Sequence, residues 1–321
     1  MTTSTLAASP RAARRIARAF RSIRVVPSGA ALGAEVDAGD LRLLDASRFA
    51  EIRAAWLEHE VIVFRGQQLD DAALRDLGAR FGAFQLSNPL PSPAARGDLG
   101  TPASAVQAPR DPAFPMITIV SNIVERGVAI GGLGDGELAW HSDMNSFPVP
   151  PSATLLHAIE VPDGQGQTSF ASLSSAFDTL DPEMAADLVQ LSLHHDAGID
   201  AAGLPRPGSS RVGDLRESPG HWHPLVTRHP ETGRRVLFLG RRARAWLEGL
   251  DPASSDALLD GLWVHATRAR HVWTHRWRAG DLVVWDNRSV VHRREAFDPS
   301  VRRHLRRVVI AGAAAPQAAL G

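Results

Sequence analysis

The sequence predicts a mainly β protein, a jelly-roll barrel flanked by helices. Short apolar runs bounded by Gly, Pro and Asp recur along the chain, as expected for the strands of a barrel or sandwich. Helical patterns are grouped early in the chain and in connections between strands, which favours a separate helical layer. A doubly wound sheet would need regular strand–helix alternation and a Gly-rich phosphate loop, and the sequence has neither.

The composition is that of an ordinary globular protein. The 321 residues can bury a sizeable core, as one large domain or two small ones. Apolar residues make up 44%, charged residues 22%, and the formal net charge is +0, so nothing points to a nucleic-acid or membrane partner. No apolar run approaches a membrane span, and we expect a cytoplasmic protein. Because cysteine is absent, any metal site must use His and carboxylate, and the redox compartment is not indicated.

The first 23 residues form a basic extension without an acidic side chain. Arginines recur from Arg11 onwards among Ala, Ser and Thr, a composition that resembles an organelle transit peptide. The alternative is a disordered or loosely helical extension, and we favour it. We therefore expect a single domain over residues 24–312, followed by a loose tail over 313–321.

Four helices are predicted from capping residues followed by apolar residues at helical spacing. The predicted starts are Asp45 or Ser47, Asp70 with Asp71, Asp181 before Pro182, and Ser254 or Ser255; the second helix should end at Gly82 and the third near Leu191.

Apolar or alternating runs predict the strands, which we place within 25–44, 61–64, 117–123, 153–159, 168–171, 235–239, 271–277, 281–285, 289–292 and 307–311. Two long segments lack the pattern of a helix or strand. Residues 84–115 are rich in Pro, Ser, Gly and Ala, and residues 196–222 are rich in Gly, Pro and Arg. Loops of that length inside one domain are typical of lids or of disorder, and we predict lid loops there.

The segment Trp140-His141-Ser142-Asp143 carries the main chemical signal, together with His292, which follows Asp143 by 149 positions (292 − 143). Two imidazoles and one carboxylate make the facial triad of a non-haem Fe(II) oxygenase. Alternate residues of a strand point to the same side, so His141 and Asp143 can face one metal. With 13 histidines in the chain, an HxD pair also arises by chance, so the surrounding sequence matters.

The surrounding motifs resemble the taurine and 2,4-dichlorophenoxyacetate dioxygenase (TauD/TfdA) family. They include Val61 to Gln67, Gly166-Gln167-Thr168, Gly280-Asp281-Leu282, Trp285 to Arg288 and the arginines at 302–307. The resemblance covers roughly residues 24–312. It implies a double-stranded β-helix, cupin-like core and an enzyme that uses Fe(2+), with 2-oxoglutarate and O2 as co-substrates.

The resemblance also implies residues for the co-substrate. Arg303 lies 11 positions after His292 (303 − 292) and matches the family's co-substrate arginine, with Thr168 as the hydroxyl partner. Arg307 matches the arginine that holds the anionic group of the prime substrate. In a strand through 302–309, Arg303 and Arg307 share one face, and a guanidinium pairs well with a carboxylate.

Three further groups of residues are weaker candidates. Glu137, four residues before His141, either faces the pocket or is a plain loop acid. His223 either supports the site or contacts substrate, or it is a satisfied polar residue near the barrel mouth. His194-His195-Asp196 looks metal-like, but adjacent histidines of a strand point in opposite directions, which disfavours a second metal site.

The implied reaction is hydroxylation of a small anionic organic substrate, with release of succinate and CO2. No histidine follows Arg80-Phe81-Gly82 as it does in taurine-using relatives, which counts against taurine. We expect a carboxylic acid such as an aryloxyalkanoate, because the segments Leu237 to Arg242 and Trp285 to Arg294 look closer to the phenoxyacetate branch of the family. A sulfonate, a sulfate ester or an amino-acid-derived natural-product precursor stays open as substrate. Alternatives of another class are a zinc hydrolase and a non-catalytic barrel binding module. A homo-oligomer is also left open.

Overall fold

The computed structural model describes residues 20–86, 106–107, 111–205 and 217–320. Most of the basic extension (residues 1–19), parts of both predicted lid loops (87–105, 108–110 and 206–216) and residue 321 lie outside the described residues. Phe20 and Ile23, which precede the predicted domain start at residue 24, already pack into the core. The backbone N–H groups of Arg21 and Ser22 donate to the Glu51 carboxylate.

The protein is mainly β, as the sequence predicted. The helices of the described residues are α1 (Ala46–His59), α2 (Asp71–Phe81), α3 (Leu173–Asp178), α4 (Pro182–Leu188) and α5 (Pro252–Ala266). The strands of the described residues are β1 (Arg24–Pro27), β2 (Ala34–Asp37), β3 (Val61–Phe64), β4 (Val106–Gln107), β5 (Ile117–Ser121), β6 (Val124–Glu125), β7 (Val128–Ala129), β8 (Gly132–Leu133), β9 (Leu138–His141), β10 (Ala153–Glu160), β11 (Thr168–Ser172), β12 (Ser192–Asp196), β13 (Gly220–Pro224), β14 (Val226–Arg228), β15 (Arg235–Leu237), β16 (Trp246–Leu247), β17 (Val272–His275), β18 (Leu282–Asp286), β19 (Val290–Arg294), β20 (His304–Ile310) and β21 (Gln317–Ala318).

Two sheets build the centre of the molecule. The larger has the order β1-β2-β3-β18-β10-β20-β5-β8, and the smaller has the order β17-β11-β19-β9. One apolar cluster contains side chains of both sheets, with Phe170 of β11 and Val290 of β19 beside Val283, Trp285 and Leu305 of the larger sheet. The two sheets therefore pack face to face, and β9, β11, β19 and β20 carry the predicted site residues.

Helices α1 and α2 cover the opposite face of the larger sheet. Their buried residues Ile52, Trp56 and Leu74 share a cluster with Val284 and Val308 of the sheet. As predicted, the first two helices are capped by aspartates, and the second ends before Gly82. Each cap carboxylate accepts a hydrogen bond from a free backbone N–H of the first helical turn, which is why a local signal sufficed.

The remaining helices lie on the other side of the smaller sheet, in a cluster that joins α3 and α5 to β11, β14 and β15. The predicted start of α5 was wrong: Asp251, three residues before Ser254 (254 − 251), is the cap, and Pro252 is the first helical residue. Helix α4 begins as predicted but ends at Leu188. The short helix α3 was not predicted. No described helix is long and apolar enough to cross a membrane.

Candidate active site

The structure brings His141, Asp143 and His292 together, although they come from distant parts of the chain. His141 ends β9 and is the direct register partner of His292 in β19. Their ring centroids are 4.2 Å apart. One ligand atom from each of the three residues lies within 4.8 Å of the others, and all three side chains are buried. Among the described residues this is the one such group of His and carboxylate side chains.

Asp143 reaches this group from a turn, not from a strand. The strand β9 ends at His141, so the alternation that we expected across His141, Ser142 and Asp143 does not apply. Instead the Ser142 hydroxyl donates to the Asn287 carbonyl at 2.8 Å, and its N–H donates to the Gly240 carbonyl at 2.8 Å. These two bonds fix the backbone between the histidine and the aspartate, and they engage the Ser142 side chain with the Asn287 backbone.

A buried chain of hydrogen bonds holds the Asp143 carboxylate. Thr154 Oγ1 of β10 donates to Asp143 Oδ2 at 2.7 Å. The same hydroxyl accepts from Asn287 Nδ2 at 2.9 Å, and Asn287 Oδ1 accepts from Trp285 Nε1 at 2.8 Å. Each side chain thereby fixes the next, and the carboxylate has one preferred orientation.

The charge states suit metal binding. Burial lowers the pKa of His141 well below its usual range, and the charge of His292 acts in the same direction. Burial likewise lowers the pKa of His292. Burial alone would raise the pKa of Asp143, but the charge of Arg307, then those of the two histidines, outweighs it and lowers the pKa to about 2. Two neutral imidazoles and one ionised carboxylate are the forms that bind a metal.

The tautomer of His141 is also suitable. Its Nδ1 lies 2.7 Å from the Ala139 carbonyl, so Nδ1 carries the proton and the lone pair resides on Nε2. His292 Nδ1 is buried and has no hydrogen-bond partner among the described residues. A buried imidazole nitrogen without a protein partner, next to a carboxylate and a second imidazole, fits a divalent metal ion of the non-haem iron type.

Thr168 and Arg303, the predicted co-substrate residues, are both buried. Thr168 begins β11, and its hydroxyl oxygen accepts from Trp277 Nε1 at 2.9 Å. The Arg303 guanidinium packs between aromatic rings, 5.6 Å from the Phe297 centroid and 6.0 Å from the Trp277 centroid. Trp277 therefore contacts both predicted co-substrate residues. Burial, and then the charge of Arg294, lowers the pKa of Arg303 to about 9.

Arg307 lies on the same inner face of β20 as Leu305, which belongs to the cluster between the sheets. Its Nη1 is 3.5 Å from Asp143 Oδ1. The neighbouring arginines have acidic partners: Arg306 pairs with Asp71 of α2, and the largely exposed Arg302 pairs with Glu160.

Two predicted substrate residues are placed differently. Glu137 is exposed, just before β9, and does not belong to the His–Asp–His group. His223 is buried in β13, and its Nε2 lies 2.9 Å from the Phe147 carbonyl. Burial lowers the pKa of His223 to about 4. That bond fastens β13 to the turn that follows Asp143, which favours a supporting role over substrate contact.

The cluster His194-His195-Asp196 does not form a metal-binding group among the described residues. His195 Nδ1 lies 2.8 Å from Asn145 Nδ2, while His194 packs on the other side of β12 between Trp222 and Trp246. The opposite directions of adjacent strand residues separate the two imidazoles, as predicted.

Comparison with known proteins identifies the family. Residues 24–309 match the family described as taurine catabolism dioxygenase TauD, TfdA family. The chain belongs to this family. It is therefore an enzyme, an oxidoreductase of the alpha-ketoglutarate-dependent, non-haem iron dioxygenase class.

Several TauD/TfdA relatives align along most of the chain. The (S)-phenoxypropionate/alpha-ketoglutarate-dioxygenase of Delftia acidovorans is 34% identical over 303 residues, covering 89% of this chain and 94% of that protein. The alpha-ketoglutarate-dependent 2,4-dichlorophenoxyacetate dioxygenase of Cupriavidus pinatubonensis is 33% identical, covering 84% and 90%. The alpha-ketoglutarate-dependent sulfate ester dioxygenase of Pseudomonas putida is 30% identical, covering 90% and 89%. A crystal structure of a taurine dioxygenase from Burkholderia xenovorans superposes with a TM-score of 0.71 at 29% identity, covering 91% and 90%.

Sequence reasoning missed two residues that hold Asp143, and it passed over a buried arginine on the same strand as His292. Thr154 and Asn287 hold Asp143, and their signal was weak: Thr154 is one polar residue in a mainly apolar run, and Asn287 lies in the family-like segment Trp285 to Arg288 without an indicated role. Arg294 is buried on the same strand as His292. Its signal was available, because it stands two positions after His292 and must share that residue's face.

Proposed function

We propose that His141, Asp143 and His292 bind Fe(2+) on the inner face of a double-stranded β-helix, and that the enzyme hydroxylates a small carboxylic acid. The observation that carries this proposal is the juxtaposition of three metal-type donors with two inward-facing arginines of one neighbouring strand segment, Arg303 and Arg307. Bound iron, with 2-oxoglutarate and O2, would supply the oxidation: one oxygen atom enters the substrate C–H bond and the other enters succinate, with loss of CO2.

The protein's own groups would bind and orient the two acids. Arg303 is buried and has no carboxylate partner among the described residues, so the distal carboxylate of 2-oxoglutarate would neutralise its charge. The Thr168 hydroxyl accepts from Trp277, which leaves its own proton available to the same carboxylate. The zinc hydrolase and the non-catalytic binding module explain neither residue.

Arg307 would receive the substrate carboxylate. Its guanidinium is partly exposed and only 3.5 Å from the Asp143 carboxylate, so a bound anion would lie beside the metal ligands. A planar guanidinium binds a carboxylate through two parallel hydrogen bonds, which fixes the orientation of the adjacent carbon. The phenoxypropionate and 2,4-dichlorophenoxyacetate dioxygenases among the relatives support an aryloxyalkanoate.

A sulfate ester is the second candidate substrate, because the sulfate ester dioxygenase is also 30% identical along the chain. Sulfate and carboxylate are both anions that a guanidinium binds, so Arg307 alone does not separate them.

A substrate panel tests the proposal. The purified chain is incubated with Fe(2+), 2-oxoglutarate and one candidate substrate at a time, and succinate is measured. The candidates are each enantiomer of 2-phenoxypropionate, 2,4-dichlorophenoxyacetate, taurine and a medium-chain alkyl sulfate. We expect succinate to rise most with an aryloxyalkanoate and to require 2-oxoglutarate. Preference for the alkyl sulfate would establish the second candidate, and substrate conversion without 2-oxoglutarate would contradict the enzyme class.

Matched arginine variants locate the substrate carboxylate. Arg307→Met should raise the KM for the acid, by about 10- to 100-fold, because a charge-assisted hydrogen bond is lost. Arg306→Met removes the same charge from the adjacent position, whose side chain instead pairs with Asp71, and should leave that KM unchanged. Equal effects of the two variants would mean that the substrate anion binds elsewhere.

A further inference from the structure

Two buried arginines meet at one end of the site. Arg303 is 1% exposed and Arg294 is 3% exposed. Both guanidinium groups lie against the ring of Phe297, with Cζ at 5.6 Å and 5.4 Å from its centroid, respectively. The two cations are therefore neighbours, and the charge of Arg294 adds to burial in lowering the pKa of Arg303. Two like charges buried next to each other are costly unless an anion is bound between or beside them.

No carboxylate of the described residues forms an ion pair with either guanidinium. Arg303 Nε, Arg294 Nε and Arg294 Nη1 are buried without a hydrogen-bond partner in the described part of the chain. A buried charge without a partner is costly, and buried nitrogen donors of native proteins are normally satisfied. The charge of Asp135 acts on Arg294, but burial outweighs it and lowers the pKa of Arg294 to about 10. Among the described residues, this pair of cations therefore has free donors and no carboxylate at ion-pair distance, and the anion of a ligand would satisfy both.

Strand geometry directs Arg294 toward the same region as the predicted co-substrate residues. Arg294 is the register partner of Thr168 across the pair β19–β11, and His292 is the partner of Phe170. Directly opposed residues of antiparallel strands project to the same face, with Cβ atoms about 5 Å apart. Arg294, Thr168 and His292 thus line one face.

Arg294 also has one nitrogen engaged by the fold. Its Nη2 donates to the carbonyls of Leu133 and Gly136, in the segment that leads into β9. That contact anchors the side chain and leaves Nε and Nη1 without partners among the described residues. Gly166 keeps the neighbouring space open, because a Cβ there would lie 3.1 Å from Phe297 and 3.5 Å from Arg303 Nε.

We propose that Arg294 is a second guanidinium for the distal carboxylate of 2-oxoglutarate, so that Arg294 and Arg303 bind that carboxylate together. This inference rests on the proposed function of Arg303 and Thr168. It adds a residue that the motif comparison did not indicate, and it links co-substrate binding to the segment that carries His141.

Binding measurements with two keto-acids test the inference without turnover. The full chain is loaded with Mn(2+), and isothermal titration calorimetry gives the Kd of 2-oxoglutarate and of 2-oxopentanoate, in which a methyl group replaces the distal carboxylate. Arg294→Met should weaken 2-oxoglutarate binding by about 10- to 100-fold and leave 2-oxopentanoate within about twofold. Arg302→Met, which removes an exposed arginine paired with Glu160, is the charge control and should change neither value.

The outcomes separate the inference from the function on which it rests. If wild type does not bind 2-oxoglutarate, the proposed function fails. If wild type binds and Arg303→Met loses binding while Arg294→Met does not, only the role of Arg294 is overturned. Equal weakening of both keto-acids would assign Arg294 to holding the 133–136 segment, which also overturns the inference. Should Arg294→Met not fold, Arg294→Gln retains an amide donor for the two carbonyls and is expected to show the same selective loss.

Discussion

Replacing Thr154 by valine isolates the hydrogen bond that orients Asp143. Valine has nearly the same shape as threonine but lacks the hydroxyl, so both the bond to Asp143 Oδ2 (2.7 Å) and the bond from Asn287 Nδ2 (2.9 Å) are lost. The backbone of β10 and the packing of the strand stay unchanged. The variant therefore changes the orientation of the carboxylate without removing a donor of the His–Asp–His group.

The size of the effect follows from the partners. Thr154 and Asp143 are both buried, and the acceptor is ionised because its pKa is lowered to about 2. A hydrogen bond to a charged group contributes about 1.5–3 kcal/mol, and 1.4 kcal/mol is about tenfold in affinity. We expect metal affinity to fall by about 10- to 100-fold, in line with other residues that support metal ligands.

Calorimetric titration of the metal-free chain with Mn(2+) or Co(2+) measures this loss. Thr274→Val is the matched control, since Thr274 also lies in a strand and hydrogen-bonds a serine, Ser169, at 2.8 Å, but is exposed on the outer side of the smaller sheet. Thermal melting establishes that each variant folds. A Thr154→Val protein that melts normally and binds metal like wild type would show that Asp143 needs no support from β10.

Four further predictions are tested with single variants. His292→Ala should lose both metal retention in gel filtration and succinate formation, because two donors hold a labile divalent ion poorly; normal metal content would remove His292 from the site. Arg303→Met should raise the Kd of 2-oxoglutarate steeply, because breaking a buried ion pair costs about 3–5 kcal/mol of binding free energy. Calorimetry measures this Kd, and an unchanged value would assign the carboxylate to another residue. Asp286→Asn should reduce the free energy of unfolding in urea by about 3–5 kcal/mol, because Arg288 loses the counter-charge of this buried carboxylate and the buried His229 loses a charged hydrogen-bond partner, whereas Asp40→Asn at an exposed pair should have no measurable effect; equal stabilities would contradict a structural role of Asp286. Burial lowers the pKa of His223 from 6.5 to about 4, so the folded protein favours the neutral imidazole. The contribution of His223 to stability should be fully present above about pH 6.5 and be lost as the pH falls toward 4. His223→Gln should flatten this part of the curve of unfolding free energy against pH, and an unchanged curve would refute the assignment.

The helices show which features a sequence determines locally. Asp45 and Asp70 cap their helices through bonds to residues three positions later, so the sequence alone predicted both starts. The start of α5 was missed although Asp251-Pro252 repeats the pattern recognised at Asp181-Pro182. Helix α3 has only six residues and depends on burying side chains such as Phe177 between other elements, which no local pattern reveals.

The site divides in the same way. The three metal-type donors were predictable from the order of the motifs, although the strand alternation expected between His141 and Asp143 does not apply. The two inward arginines were predictable because they stand four positions apart (307 − 303) in one extended segment. The residues that hold Asp143 were not, since Thr154 and Asn287 meet only through the pairing of β10 with β18. Arg293 and Arg294 are indistinguishable by type, and the structure separates them: Arg293 lies over Trp140, while Arg294 is buried behind Phe297.

The central claim is that one metal ion and 2-oxoglutarate bind together at His141, Asp143 and His292. The most direct test is an anaerobic titration of the metal-free chain with Fe(2+) and 2-oxoglutarate, followed by visible absorption. We expect a charge-transfer band that requires both components, is absent in His292→Ala, and shifts when the substrate acid is added. A folded, iron-binding protein that gives no band with 2-oxoglutarate would contradict the claim and direct attention to zinc and hydrolysis.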